Sequence, residues 1–84
     1  MRITFKLFAT LQDHLPAEAK KTNALLLEVT EGTTPQDLIE RFSLPIKLCH
    51  LVLVDGHFIP PAERAHRALK EGETLAIWPP VAGG

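Results

Sequence analysis

The side chains in this sequence that could do chemistry are few and poorly spaced for it. The histidines are His14, His50, His57 and His66, and the single cysteine is Cys49. His50 precedes a strand-like segment and His57 follows its turn, so the two could face each other across it. A protein metal site needs at least a third ligand, and none is evident, so no metal is expected. Cys49 adjoins His50, and neighbours on a strand point to opposite faces, which is poor geometry for a thiolate–imidazole pair. A small buried thiol is the expectation, and one cysteine cannot close an internal disulfide. The glycines at 32, 56, 72, 83 and 84 are scattered, so no phosphate-cradling loop is present. Acidic residues are numerous, but none form a convincing acid–base pair.

The remaining reactive group is the end of the sequence, Ile77-Trp78-Pro79-Pro80-Val81-Ala82-Gly83-Gly84. Two prolines cannot continue a central ladder, and they favour an extended path. A strand ending at Trp78 should therefore give way to a segment that projects from the domain. Gly83 and Gly84 carry no side chain. They can enter a narrow channel in a partner, adopt whatever backbone angles it imposes, and let a nucleotide phosphate approach the Gly84 carboxylate without hindrance from a Cβ. A Gly-Gly end by itself is equally well a frayed terminus. Its placement directly after a strand and a Pro-Pro break raises it above that reading.

The elements that must position this segment follow from hydrophobic periodicity. Arg2 to Phe8 alternates, with Ile3, Phe5 and Leu7 on one face and Arg2, Thr4 and Lys6 on the other. Phe8 breaks the alternation by placing a large ring on the polar side. Thr10 to Leu15 suits a short helical turn closed by Pro16, and the polar stretch Ala17 to Asn23 reads as a loop. Leu25 to Thr30 is a second strand with Leu25, Leu27 and Val29 on one face. Thr34 as N-cap, Pro35 at the first helical position and Asp37 in the first turn announce a helix. Leu38, Ile39 and Phe42 give it an apolar stripe, and Ser43 and Pro45 end it. Asp55-Gly56 between Leu51–Val54 and His57–Ile59 predicts a hairpin, stopped by Pro60-Pro61. Leu69 should plug the core from the crossover, and Thr74 to Trp78 is the last strand.

One helix can cover only one face of such a sheet. The first and last strands can lie parallel in the middle, a pairing inferred by analogy with known folds, and the order of elements is then that of an α+β, β-grasp (ubiquitin-like) domain. Its mixed sheet has four to five strands, with one main helix packed on one face. The domain is expected over residues 1–78, with residues 79–84 as an extended flexible tail.

Composition narrows the class. Leu, Ile, Val and Phe supply about a third of the 84 residues, well above the roughly 20% below which chains stay disordered. Nine basic and ten acidic residues leave a net charge of −1, which argues against unspecific nucleic-acid binding. No apolar run approaches the roughly 18 residues of a membrane span, and Met1-Arg2 leads straight into an alternating segment with no apolar stretch before it, so no signal peptide is expected. A cytoplasmic protein with neither nucleic-acid nor membrane partners is expected.

The ending WPPVAGG after KEGETLAIW resembles the small subunit of molybdopterin synthase, and more widely the molybdopterin and thiamine sulfur-carrier proteins. The likeness extends over RITFKLFATL, the capped helix after TEGTTPQDL and the LVLVDG hairpin. The double proline before the Gly-Gly is what favours the molybdopterin-type branch. The resemblance implies that Gly84 is adenylated by an ATP-dependent, ubiquitin-activating-type adenylyltransferase, with ATP and Mg²⁺ bound by that partner. A sulfur donor then makes a thiocarboxylate, which delivers sulfur in a molybdopterin synthase large subunit or another sulfur-accepting synthase. The chain would then be a substrate or subunit and not an enzyme alone, with no cofactor of its own. Phe8 and Trp78, on strands that neighbour in this fold, would form an apolar partner-binding patch, and Pro79, Pro80 and Val81 would line the tail's entry into the partner, with Ala82 and Gly83 following in the tail. The same ending also fits a thiamine-type carrier, or a ubiquitin-like modifier conjugated through Gly84.

Overall fold

The computed structural model describes residues 1–80. Five strands form one sheet: β1 (Arg2–Leu7), β2 (Ala24–Glu28), β3 (Leu51–Val54), β4 (His57–Phe58) and β5 (Thr74–Trp78), in the order β2-β1-β5-β3-β4. β1 and β5 are parallel, with Thr4 opposite Thr74 and Leu7 opposite Ile77. The other pairings are antiparallel. This is the β-grasp, with the strand that leads to the tail in the centre of the sheet.

Alternation decides which face is buried. Ile3, Phe5 and Leu7 of β1, Leu27 of β2, Val52 and Val54 of β3, and Leu75 and Ile77 of β5 all turn inward. They meet Leu38 and Ile39 of the main helix, α2 (Pro35–Arg41). Phe42, its C-cap, packs its ring 4.7 Å from that of Phe5. The predicted capping signal is realised as a complete capping box. Asp37 N–H donates to Thr34 Oγ1, and Thr34 N–H donates to Asp37 Oδ2. At the other end Ser43 adopts φ of +53°, Ser43 N–H donates to Glu40 O and Leu44 N–H to Ile39 O. That is a Schellman ending with serine where glycine is usual.

Three local expectations need correction. β1 stops at Leu7, because Ala9 takes φ of +53° and turns the chain into a 3-10 helix over Ala9–His14. Residues 17–20 are not loop but a short helix, α1 (Ala17–Lys20), which buries Ala19 against the core. The hairpin's second strand is only two residues long, although Ile59 N–H still reaches Val52 O at 2.8 Å. Its turn is as predicted, with positive φ at both Asp55 and Gly56.

The crossover from β4 to β5 is tied to the helix. Gln36 N–H donates to Arg64 O and Leu69 N–H to Thr33 O, and Leu69 is buried as expected. A bidentate pair between Arg67 and Glu73, both bonds 2.7 Å, closes the loop just before β5. Among the described residues no helix is long and apolar enough to cross a membrane.

Candidate functional site

The site is built where β5 runs out. Trp78 is its last residue, Pro79 is buried and Pro80 is exposed. Val81, Ala82, Gly83 and Gly84, on which the sequence reading placed the reactive group, lie outside the described residues. What the structure gives is the root from which they leave.

That root is flanked by aromatic rings. Phe8 and Trp78 stack with centroids 3.8 Å apart and planes 4° from parallel. The cause lies in the backbone. Phe8 continues the β1 path far enough for its N–H to donate to Ile77 O at 3.2 Å. Its side chain therefore falls on the solvent face, level with Trp78 across the parallel pair. The break in alternation at Phe8 and the aromatic end of β5 thus meet, as the sequence suggested. Trp78 keeps 39% of its surface exposed.

The patch is larger than these two rings. Leu51 sits opposite Trp78, and Leu53 lies opposite both Ala76 and Phe58. Because Val52 and Val54 face the core, Leu51 and Leu53 must face out, and Leu51 and Phe58 are exposed. Together with Phe8 and Trp78 they give a continuous apolar area on the open side of the sheet, next to the tail root. An exposed apolar surface of this kind is what an interaction site on a small domain would present. The sequence reading missed Leu51, Leu53 and Phe58, although the alternation of LVLV already put the first and third residues on the face opposite the core.

The histidine expectation fails. Val54 pairs with His57 while His50 lies beyond the other end of β3, so the two do not face each other. Among the described residues no three His, Cys, Asp or Glu side chains gather in a way that could hold a metal. Cys49 is buried, its thiol donating to Pro45 O at 3.4 Å. Burial pushes its pKa above the ordinary value of 9.0, with the Arg64 charge acting in the opposite direction. A protonated thiol is a packing group here and not a nucleophile.

Arg64 is the residue that sequence reasoning did not find. It is 7% exposed, and among the described residues no carboxylate pairs with it. Its guanidinium instead donates to three backbone carbonyls: Ile59 O at 3.0 Å, Cys49 O at 2.8 Å and His50 O at 3.3 Å. Its carbon also lies 5.9 Å from the centroid of Phe58. Burial lowers its pKa from the usual arginine value, but that value is so high that it stays charged.

A sheet of this order, with its central strand leading out beside an open apolar face, defines a ubiquitin-like domain. The ThiS family model matches residues 6–84, and the chain belongs to that family of ubiquitin-like sulfur carriers. Similar solved structures agree on the fold. The SAMP1 protein of Haloferax volcanii is 24% identical over the whole of both chains, with a TM-score of 0.66. The HVO 2177 protein of the same organism is 23% identical over 100% of this chain and 87% of its own, with a TM-score of 0.74. A chain in the complex of subunits 1 and 2 of molybdopterin-converting factor from Helicobacter pylori is 17% identical over the whole of both chains, with a TM-score of 0.63. No curated protein matches the chain.

Proposed function

We propose that the chain carries sulfur as a thiocarboxylate on Gly84, in the manner of the small subunit of molybdopterin synthase. The observation that carries this reading is the apolar face around the Phe8–Trp78 stack, set directly beside the root of the Pro-Pro-Val-Ala-Gly-Gly segment in a member of the ThiS family. A partner that docks on that face is aligned to receive the last residues.

The chemistry is borrowed and the reactive atom is the chain's own. A carboxylate resists nucleophiles because its leaving group would be oxide. An activating enzyme holding ATP and Mg²⁺ overcomes this: a Gly84 oxygen attacks the α-phosphorus, pyrophosphate leaves, and an acyl-adenylate forms. A hydrosulfide equivalent from a sulfur donor then displaces AMP, leaving one sulfur in place of one oxygen. The thiocarboxylate sulfur is a soft nucleophile: in a synthase it attacks a carbon of the acceptor, whose leaving group departs, and water then cleaves the acyl–sulfur bond, leaving the sulfur on the acceptor and a carboxylate on Gly84. The complex seen for the Helicobacter pylori relative supports a large-subunit partner and a molybdopterin destination. The double proline at Pro79-Pro80 supports the same branch.

Intact mass spectrometry after incubation with ATP, an activating enzyme and a sulfur source should show a gain of about 16 Da, one oxygen exchanged for one sulfur, on the C-terminal peptide. No gain, or a gain that survives deletion of Gly83 and Gly84, would refute the reading. Covalent conjugates to lysines of other proteins, without sulfur transfer, would replace it with that of a protein modifier.

A further inference from the structure

We infer that Arg64 is a positioning residue for the tail, acting through a single peptide group. The inference rests on the carrier reading above and says how the domain aims the segment that reading uses. Pro60 and Pro61 end β4 early. Ile59 N–H pairs with Val52 O, and two residues further along an antiparallel ladder the next donor, to His50 O, would be residue 61. Residue 61 is a proline and has no N–H. His50 O is thus left without the strand that should pair it, and a partly buried carbonyl without a partner is costly. The Arg64 guanidinium takes the place of that strand, donating to Cys49 O and His50 O while its Nε holds Ile59 O.

The consequence lies on the far side of the same peptide. Cys49 O and His50 N–H belong to one trans peptide group, so they point in opposite directions. On one side Cys49 O accepts from Arg64 at 2.8 Å. On the other, His50 N–H donates to Trp78 O at 3.1 Å. A charged donor on the carbonyl polarises the peptide and strengthens its N–H as a donor to the next acceptor. That acceptor is the last carbonyl of β5, bonded directly to Pro79. Pro79 and Pro80 have no N–H and cannot direct themselves by backbone donors. Arg64 therefore helps fix the angle at which the chain leaves the sheet. A merely structural arginine would stabilise the crossover and leave that angle alone.

The test uses the full chain with Arg64→Gln and Arg64→Lys, and with Arg67→Gln as a control that loosens the same crossover without touching Cys49 or His50. Amide exchange by NMR reads the bridge. In Arg64→Gln, exchange at His50 should quicken by about tenfold, the effect of losing one charge-assisted hydrogen bond, beyond any change at the Leu75 and Ile77 amides. Arg64→Lys keeps the charge but not the three-carbonyl reach, and should fall between. With the activating enzyme, ATP–pyrophosphate exchange should show kcat lowered with KM little changed, because the docking face is intact while the tail is aimed less well. Unchanged His50 exchange would overturn the inference, as would a kcat loss no greater than that of Arg67→Gln at matched stability. If the unmutated chain supports no pyrophosphate exchange, the carrier reading fails and this inference with it, while the amide data still show whether the peptide bridge exists.

Discussion

The open side of the sheet has two unlike ends. At one, Arg2 pairs with Glu28 across the strands at 3.1 Å, Asp55 accepts the Thr74 N–H at 2.8 Å, and Arg67 grips Glu73. Its polar groups answer one another, and little there is left for a partner beyond the isolated Leu26 on the edge strand. At the other end Phe8, Leu51, Phe58 and Trp78 present carbon to water beside the point where the chain leaves. Both ends share the same strands and the same buried core. Side-chain pairing is thus concentrated at one end of the strands, which closes the domain on itself, and the proposed docking face lies at the end left open.

Substitutions at the two ends and in the core beneath them should have distinct effects. The largest effect on the fold should come from Leu75→Ala, on the strand that carries Trp78 but facing α2. Emptying a fully buried leucine site costs about 2–5 kcal/mol, and urea midpoints should fall accordingly for a domain of this size. Trp78→Ala should do the reverse. On the carrier reading proposed above, losing this exposed ring should weaken association with the proposed activating enzyme or large subunit by about thirtyfold or more, the range of an interface hot spot, with a much smaller change in the midpoint. Equal losses of stability and binding in both variants would erase the distinction.

Glu73→Gln tests the closed end, with an expected cost of about 1 kcal/mol for a part-buried charged pair and no change in partner affinity. Its pH dependence has a definite sign. The hydrogen bonds from Arg67 hold the Glu73 carboxyl below its ordinary value of 4.5, against the opposing effect of burial. A carboxyl depressed in the folded state contributes stability that is complete above the ordinary value and is lost as pH falls through the depressed one. The stability gap between the parent chain and Glu73→Gln in urea titrations should therefore be constant near neutrality and close below about pH 4.5.

The smallest effects compare two residues with the same strained backbone. Ser43 and Ala9 both sit at φ of +53°. Glycine relieves that strain but also loosens the unfolded chain, so each replacement should gain only about 0.5 kcal/mol. Ser43→Gly, at the end of α2, should change nothing else. Ala9→Gly, next to Phe8, should also reduce partner affinity measurably by calorimetry, because the turn that sets the ring on Trp78 becomes permissive.

Much of this architecture is legible in the sequence where the signal is local. The Thr34–Asp37 cap, the Asp55-Gly56 turn and the alternation in RITFKL each depend on residues within a few positions of one another. The Phe8–Trp78 meeting is legible only through the order of elements, because the parallel register of β1 on β5 joins distant segments. Where that kind of information is missing, the reading fails. Periodicity does not reveal register, so it allows His50 and His57 to face each other, and the observed pairing puts Val54 in that place. Arg64 carries no pattern of its own. Its position becomes meaningful only once Pro61 is known to deprive a specific carbonyl of its donor. Residues 17–20 look like loop because their polarity masks Ala19, the one side chain that the core takes from them.

The central position of β5 has a mechanical side. β5 is bonded along its length to β1 on one edge and to β3 on the other, as far as Trp78. A pull on its end along the strand axis would load the rungs of both ladders together, in shear, and not peel them apart one at a time. The strand that would bear such a pull is thus the one gripped from both sides.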